Sequence, residues 1–184
     1  MTKTSQNGLE AGLLEVQTER LRLRVPNEGD AADLTRLLDD WNVAKWLARV
    51  PHPYQLADAC AFIEYSRAKE SSEYGRNFII FLGSKLIGGI GLTGETAAVL
   101  ELGYWIAREH WGCGYATEAA AGLIGYAETT LGCARLEANY QEDNLGSARV
   151  LRKLGFRVSG KKSIFSLARN RDVSSTGVFL DLKR

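Results

Sequence analysis

The sequence predicts an α+β domain on a mixed, mostly antiparallel sheet, and three observations predict it. Segments with apolar residues at every second position, or short apolar runs closed by glycine turns, recur along the chain and read as strands. Between them lie segments whose apolar residues fall at helical spacing. One strand–helix–strand succession, Val99 to Tyr140, makes a βαβ-like unit in what is otherwise a meander. The elements sum to six to seven strands flanked by about four helices. They form a single domain over residues 14–184, with no repeat or linker. Residues 1–13 carry Ser, Gln, Asn and Gly without periodicity and are expected to be a disordered tail.

Taken in order, Glu15 to Val25 ends in strict alternation at Leu21, Leu23 and Val25, a strand with one polar face. Pro26–Gly29 turns the chain, and Asp30 is expected to cap a helix bearing Leu34, Leu37 and Leu38. Trp41, Trp46, Leu47 and Val50 lie in an irregular region ending at Pro51–Pro53. Core packing is the favoured reading of either tryptophan, and the wall of an acceptor pocket the sharper one. A second helix follows from Gln55 to Lys69. Asn77–Leu82, Gly83–Ser84 and Lys85–Leu92 form a hairpin whose three internal glycines, Gly88, Gly89 and Gly91, suggest close backbone contacts or a bulge. Val99–Ile106 is the next strand. A helix then carries Ala120, Leu123, Ile124, Ala127 and Leu131 and stops at Gly132. Arg135–Tyr140 alternates as a strand, and Asn144 caps a helix with Ala148, Leu151 and Leu154 that Gly155 closes. Phe156–Ser159 and Val178–Leu182 complete the sheet.

Composition narrows the function. Of 184 residues, 45% are hydrophobic and 24% charged, which suits a globular core, and a net charge of +1 provides no field for nucleic acid. No apolar run reaches the roughly eighteen residues that span a bilayer. The polar N-terminus lacks a signal-peptide core. Cys60, Cys113 and Cys133 are scattered and odd in number, which suggests reduced thiols in a cytoplasmic protein. His52 and His110 are too few for a metal site, so no metal is expected.

The chemistry concentrates in Trp111-Gly-Cys-Gly-Tyr-Ala-Thr-Glu118. A strand enters a turn with two glycines, and a helix starts at Ala116 or Thr117. Its free N–H groups and macrodipole favour an anion there, so the turn reads as a phosphate or pyrophosphate cradle. Two nucleotide motifs nearly match and fail. Gly112-Cys-Gly114-Tyr-Ala-Thr117 has Thr117 at the third glycine's place and lacks the acidic residue closing the next strand. Gly155 to Lys162 has Walker A spacing, but Lys162 stands where Ser or Thr should bind magnesium, and the stretch follows a helix instead of preceding one.

Three motifs in order resemble the GNAT N-acetyltransferases, in the branch of the ribosomal-protein N-terminal (alanine) acetyltransferases. Thr18-Glu-Arg-Leu-Arg-Leu-Arg24 is similar to that family's opening strand. Glu101-Leu-Gly-Tyr-Trp-Ile106 with Trp111 to Ala119 is similar to its acetyl-CoA motif, Trp111 replacing the superfamily's Gln or Arg as is usual in this branch. Asn144-Leu-Gly-Ser147 with Leu154-Gly-Phe156 is similar to its second cofactor motif.

The resemblance implies a GNAT fold and an acetyl-CoA-dependent transfer to a primary amine. Main-chain N–H groups of Gly112, Cys113, Gly114, Tyr115, Ala116 and Thr117 would hold the pyrophosphate of coenzyme A, and its pantetheine arm would lie beside Trp105 and Ile106. Asn144 would cap its helix and touch pantetheine. Amine attack on a thioester needs a base, for which Glu101 is the best-placed carboxylate. Its alternative is a structural strand-edge hydrogen bond or a salt bridge. A backbone N–H near Trp105 or Ile106 would stabilise the oxyanion. The Tyr that many relatives place seven residues after the Asn is here Leu151. Ser147 takes the proton-donor role in this branch, or serves only the helix cap; Tyr140 is a weaker candidate. Cys113 offers its backbone, not a nucleophilic sulfur.

The acceptor, a protein N-terminus or a small amine, would meet residues 41–69, where Asp39, Asp40, Asp58 and Glu64 could attract a cation. The competing class is a non-catalytic acyl-CoA sensor. A homodimer is open because dimerisation is common in the branch; no sequence pattern argues for one.

Overall fold

A computed structural model describes residues 15–69 and 75–182; the tail expected over residues 1–13 lies outside them. The first strand of the sequence reading is two strands. β1 (Glu15–Gln17) and β2 (Leu21–Arg24) pair antiparallel around a turn at Thr18–Arg20. That turn is held by Glu118, a residue the local pattern could not reveal. Three further strands continue the meander: β3 (Gly75–Leu82), β4 (Lys85–Thr96) and β5 (Val99–Ile106). β6 (Arg135–Gln141), β7 (Arg157–Ser166) and β8 (Arg171–Asp181) complete it. The strand order is β1-β2-β3-β4-β5-β6-β8-β7, antiparallel everywhere except between β5 and β6. Eight strands among the described residues exceed the six to seven expected, because the opening run folds back on itself.

Among the described residues five α-helices cover the sheet: α1 (Ala31–Leu38), α2 (Trp41–Ala44), α3 (Leu56–Ala68), α4 (Tyr115–Thr129) and α5 (Leu145–Lys153). α2 is the one beyond the expected four. Alternation sends Phe78 and Ile80 to one face, where they pack with Leu100, Leu102, Leu123 of α4 and Leu151 of α5. Ile79 and Phe81 go to the opposite face, under Leu34 and Leu37 of α1 and Ile63 of α3. Both faces of β3 are therefore buried, which explains its continuous apolar run. The hairpin glycines are close-approach sites. A Cβ on Gly88 would collide with the Trp105 carbonyl, and one on Gly89 would sit 2.6 Å from the Trp105 indole nitrogen.

Three other expectations change. Asp30 does not cap α1 with its side chain. It is buried, bonds the Asn27 N–H at 2.7 Å and pairs with Arg24 at 2.7 Å, while Asn27 caps the short 3-10 turn before it. Trp41 is 43% exposed and lies against the His52 ring, outside the core. The last hairpin is much longer than predicted, with a bulge between Val158 and Gly160. Almost all of β7 is exposed, so it carries no alternation to read.

Candidate active site

β5 and β6 pair over only three rungs, Val99↔Arg135, Leu100↔Leu136 and Glu101↔Glu137, and then diverge. Beyond Glu101 one edge of β5 is released from the ladder. The Ala107 N–H bonds the Ile87 carbonyl, and alternation then turns the N–H of Trp105 toward β4 and those of Tyr104 and Ile106 toward the gap. Of the two backbone positions expected near the reaction, Ile106 presents its N–H to the gap. Trp105 contributes its indole to the wall instead. A cleft of about 1510 Å³ runs through the gap from the α4–α5 side to the α2–α3 side.

One end of the cleft is the glycine turn, where the sequence places the cofactor. Trp111 anchors its start by donating Nε1–H to the Ile106 carbonyl at 2.7 Å. Gly112 and Gly114 hold φ of 77° and 85°, the left-handed region in which a side chain strains the backbone. α4 begins at Tyr115, one residue before the expected start, with Gly114 at its N-cap. The first N–H groups of such a helix lack intrahelical partners, so Tyr115, Ala116 and Thr117 aim donors into the cleft they line. Cys113 is exposed, its carbonyl accepting from both Arg20 terminal nitrogens at 3.3 Å.

Glu118 ties this turn to the opening hairpin. It accepts from the Thr18 hydroxyl at 2.6 Å, the Arg20 N–H at 2.7 Å and the Arg20 guanidinium at 2.6 Å. Burial alone would raise its carboxyl. The Thr18 and Arg20 bonds outweigh that and hold it below the ordinary carboxylate value. Arg20 also lies 4.6 Å over the Tyr115 ring.

Between the ends sit the groups that could move protons. Asn144 caps α5 by accepting the Ser147 N–H at 3.1 Å. The Ser147 hydroxyl lies 2.8 Å from the Tyr104 hydroxyl, a pairing the sequence reading did not anticipate. Burial pushes the Tyr104 phenol up to about 12, against the Ser147 bond that lowers it, so it keeps its proton at neutral pH. The available signal was position: Tyr104 shares the face of β5 with Leu102 and Ile106, toward α4 and α5. Leu151 is fully buried in the core and offers no proton. Glu101 points the other way, toward the acceptor end, with Arg49 at 3.9 Å and Glu137 as its neighbour on β6. Tyr140 lines the cleft as well.

The acceptor end is walled by the loop after α2 and by α3. Trp46 is half-buried and lines the cleft there. The loop is pinned from behind. The Lys45 carbonyl accepts from Gln141 at 2.9 Å and from Arg169 at 3.0 Å, while the Leu167 N–H bonds the Ala48 carbonyl at 2.9 Å. Arg169 also stacks 5.2 Å from the Trp46 ring. Of the acidic residues expected to attract a cation, Asp39 accepts the Tyr54 N–H, Asp40 caps α2, and Asp58 accepts the Gln55 N–H. Those three are structural, although Asp58 also lines the cleft; Glu64 is exposed on α3. Among the described residues no His, Cys, Asp and Glu grouping could hold a metal, and no helix is long and apolar enough to cross a membrane.

A mostly antiparallel sheet splits at its single parallel pairing, beside a glycine-capped helix, and comparison with known proteins names the family. Residues 20–157 match the acetyltransferase (GNAT) domain, and the chain belongs to this GNAT acetyltransferase family. A relative in Bacillus licheniformis, the uncharacterized N-acetyltransferase p20, is 30% identical over 158 residues, covering 84% of this chain and 88% of that protein. Among solved structures, RimJ of Mycobacterium smegmatis, in complex with CoA-disulfide, superposes with a TM-score of 0.77 at 22% identity, over 92% of this chain and 86% of that one. The microcin C7 self-immunity acetyltransferase MccE, in complex with acetyl-CoA and AMP, gives 0.77 at 21%, over 89% and 93%. At those identities the two structures share the fold.

Proposed function

We propose that the protein transfers the acetyl group of acetyl-CoA to a primary amine by direct attack, with no covalent enzyme intermediate. The observation that carries the reading is the split between β5 and β6, which opens directly onto the N-terminus of α4. The pyrophosphate of coenzyme A fits the N–H groups of Gly112 to Thr117, where the helix end favours negative charge without a cation. Pantetheine takes the released edge of β5 as a further strand would, and Asn144 and Ser147 flank it. That RimJ is held with CoA-disulfide and MccE with acetyl-CoA supports the same donor here.

The chemistry divides across the two faces of β5. On the acceptor face, Glu101 takes a proton from the amine, directly or through a water, and frees its lone pair. The nitrogen attacks the thioester carbon, and the Ile106 N–H, aimed into the gap, supports the developing oxyanion. Collapse breaks the carbon–sulfur bond. The departing thiolate receives a proton from the Tyr104–Ser147 hydroxyl pair on the cofactor face, and the second proton shed by the nitrogen as the amide forms goes to solvent, from which the pair is reprotonated. Tyr104 supplies the acid that Leu151 does not.

Titration calorimetry with acetyl-CoA, followed by free-thiol release against peptides and small amines, tests this. Binding with acceptor-dependent release is expected. Binding without release from any acceptor would favour the sensor class, and no binding would remove the role given to Gly112–Thr117.

A further inference from the structure

The acceptor half of the cleft states which amine it suits, on the footing of the function proposed above. Its wall is apolar and aromatic: Trp46, Leu47, Val50, Phe62, Tyr65 and Trp105. Charged side chains there are few. Asp58 is engaged with the Gln55 N–H, and Lys162, also in the lining, faces Glu137 at 3.9 Å; Glu101 and Arg49 remain at the mouth. These two face each other with 3.9 Å between a guanidinium nitrogen and a carboxylate oxygen, their side chains 43% and 72% exposed. That separation is beyond hydrogen-bond range, and so exposed a pair holds its partners weakly. Among the described residues the Arg49 guanidinium donates no hydrogen bond, although its planar fork matches a carboxylate two bonds at a time. The mouth of an apolar pocket thus carries one cationic and one anionic group, weakly paired and within a single residue's reach.

We propose that the acceptor is a free α-amino acid with a large apolar side chain. Its ammonium docks on Glu101, its carboxylate takes the Arg49 fork, and its side chain enters the wall of Trp46, Val50 and Phe62. The two charges of an α-amino acid flank one carbon, so both partners are reached together and the long Arg49–Glu101 contact gives way to two charge-assisted ones. Acetylation then converts the α-amine into an amide through Glu101 as described, yielding an N-acetyl amino acid and coenzyme A. A peptide N-terminus offers Arg49 a neutral carbonyl in place of the carboxylate, and a polyamine brings a second cation against Arg49. Acidic amino acids are disfavoured too. The adjoining hollow of about 440 Å³ is lined by Glu95, Glu101 and Glu137 with Arg49; once Arg49 holds the α-carboxylate, the three carboxylates repel a second one.

The test compares specificity constants at saturating acetyl-CoA for L-leucine, L-phenylalanine, their amides, a leucine-initiated peptide, L-glutamate and spermidine. Acetyl-CoA binding is measured alongside by calorimetry. Free leucine and phenylalanine should exceed their amides by about tenfold or more, the range of a hydrogen bond to a charged group. Arg49→Gln should bring that ratio close to one. Amides, peptides or spermidine matching the free amino acids overturns the proposal, as does a ratio that survives Arg49→Gln. Acetyl-CoA binding with peptide but not amino-acid acetylation overturns this inference and leaves the acetyltransferase reading intact. Absence of acetyl-CoA binding overturns both.

Discussion

Tyr104 and Ser147 stand 43 positions apart in sequence, yet their hydroxyls meet at 2.8 Å. If the pair protonates the leaving thiolate, Tyr104→Phe should lower kcat roughly 10- to 100-fold, within the span of general acid catalysis, with little change in acetyl-CoA affinity. Ser147→Ala should lower it less, because the Tyr104 hydroxyl keeps the Ser147 carbonyl as a partner at 3.4 Å. Glu101→Gln has a different signature. Its deficit against wild type should narrow as pH rises, since an amine that deprotonates in solution no longer needs a base; a pH–rate profile measures this. Motifs marked Glu101, Asn144 and Ser147 because each lies in a recognisable stretch. Tyr104 lies in the same stretch as Glu101, and alternation puts it on the face toward α4 and α5, but its pairing with Ser147 is a distance between β5 and α5 that no spacing along the chain encodes.

At the next scale, the turn before α4 was readable because its demand is local. Gly114 holds φ at 85°, and a Cβ there would meet only the Arg20 guanidinium at 3.6 Å, an ordinary contact. The strain of Gly114→Val is therefore the backbone's own, about 1–3 kcal/mol. Calorimetry should show acetyl-CoA binding weakened by roughly tenfold, the equivalent of that strain. The acceptor loop was unreadable for the opposite reason. Its shape depends on Gln141 and Arg169, which reach the Lys45 carbonyl from 96 and 124 positions away. Arg169→Ala should raise the acceptor KM several-fold while leaving acetyl-CoA affinity unaltered. Equal effects on both substrates would mean that the pin serves the whole fold. The final hairpin was foreshortened in the sequence because Arg157–Ser163 is exposed throughout, so pairing with β8, not a buried face, keeps it extended.

Across the molecule, Glu118 links the first hairpin to the fourth helix and makes that link sensitive to acid. Its carboxyl titrates lower in the folded protein than in the unfolded chain, where 4.5 is the ordinary value. The linked stability is fully present above that value and drains away as pH falls through the lower folded one. Denaturant midpoints of wild type and Glu118→Gln should differ at neutral pH and converge as acid takes the carboxyl through its lowered folded value. The split sheet has a consequence of its own. The gap passes from one face to the other, so on the function proposed above donor and acceptor would enter by opposite doors, neither lying across the other's exit. Coenzyme A would then depart while the acetylated product is still seated, and either substrate would be free to arrive first. Initial-velocity plots should then intersect rather than run parallel, and product inhibition should show no compulsory order.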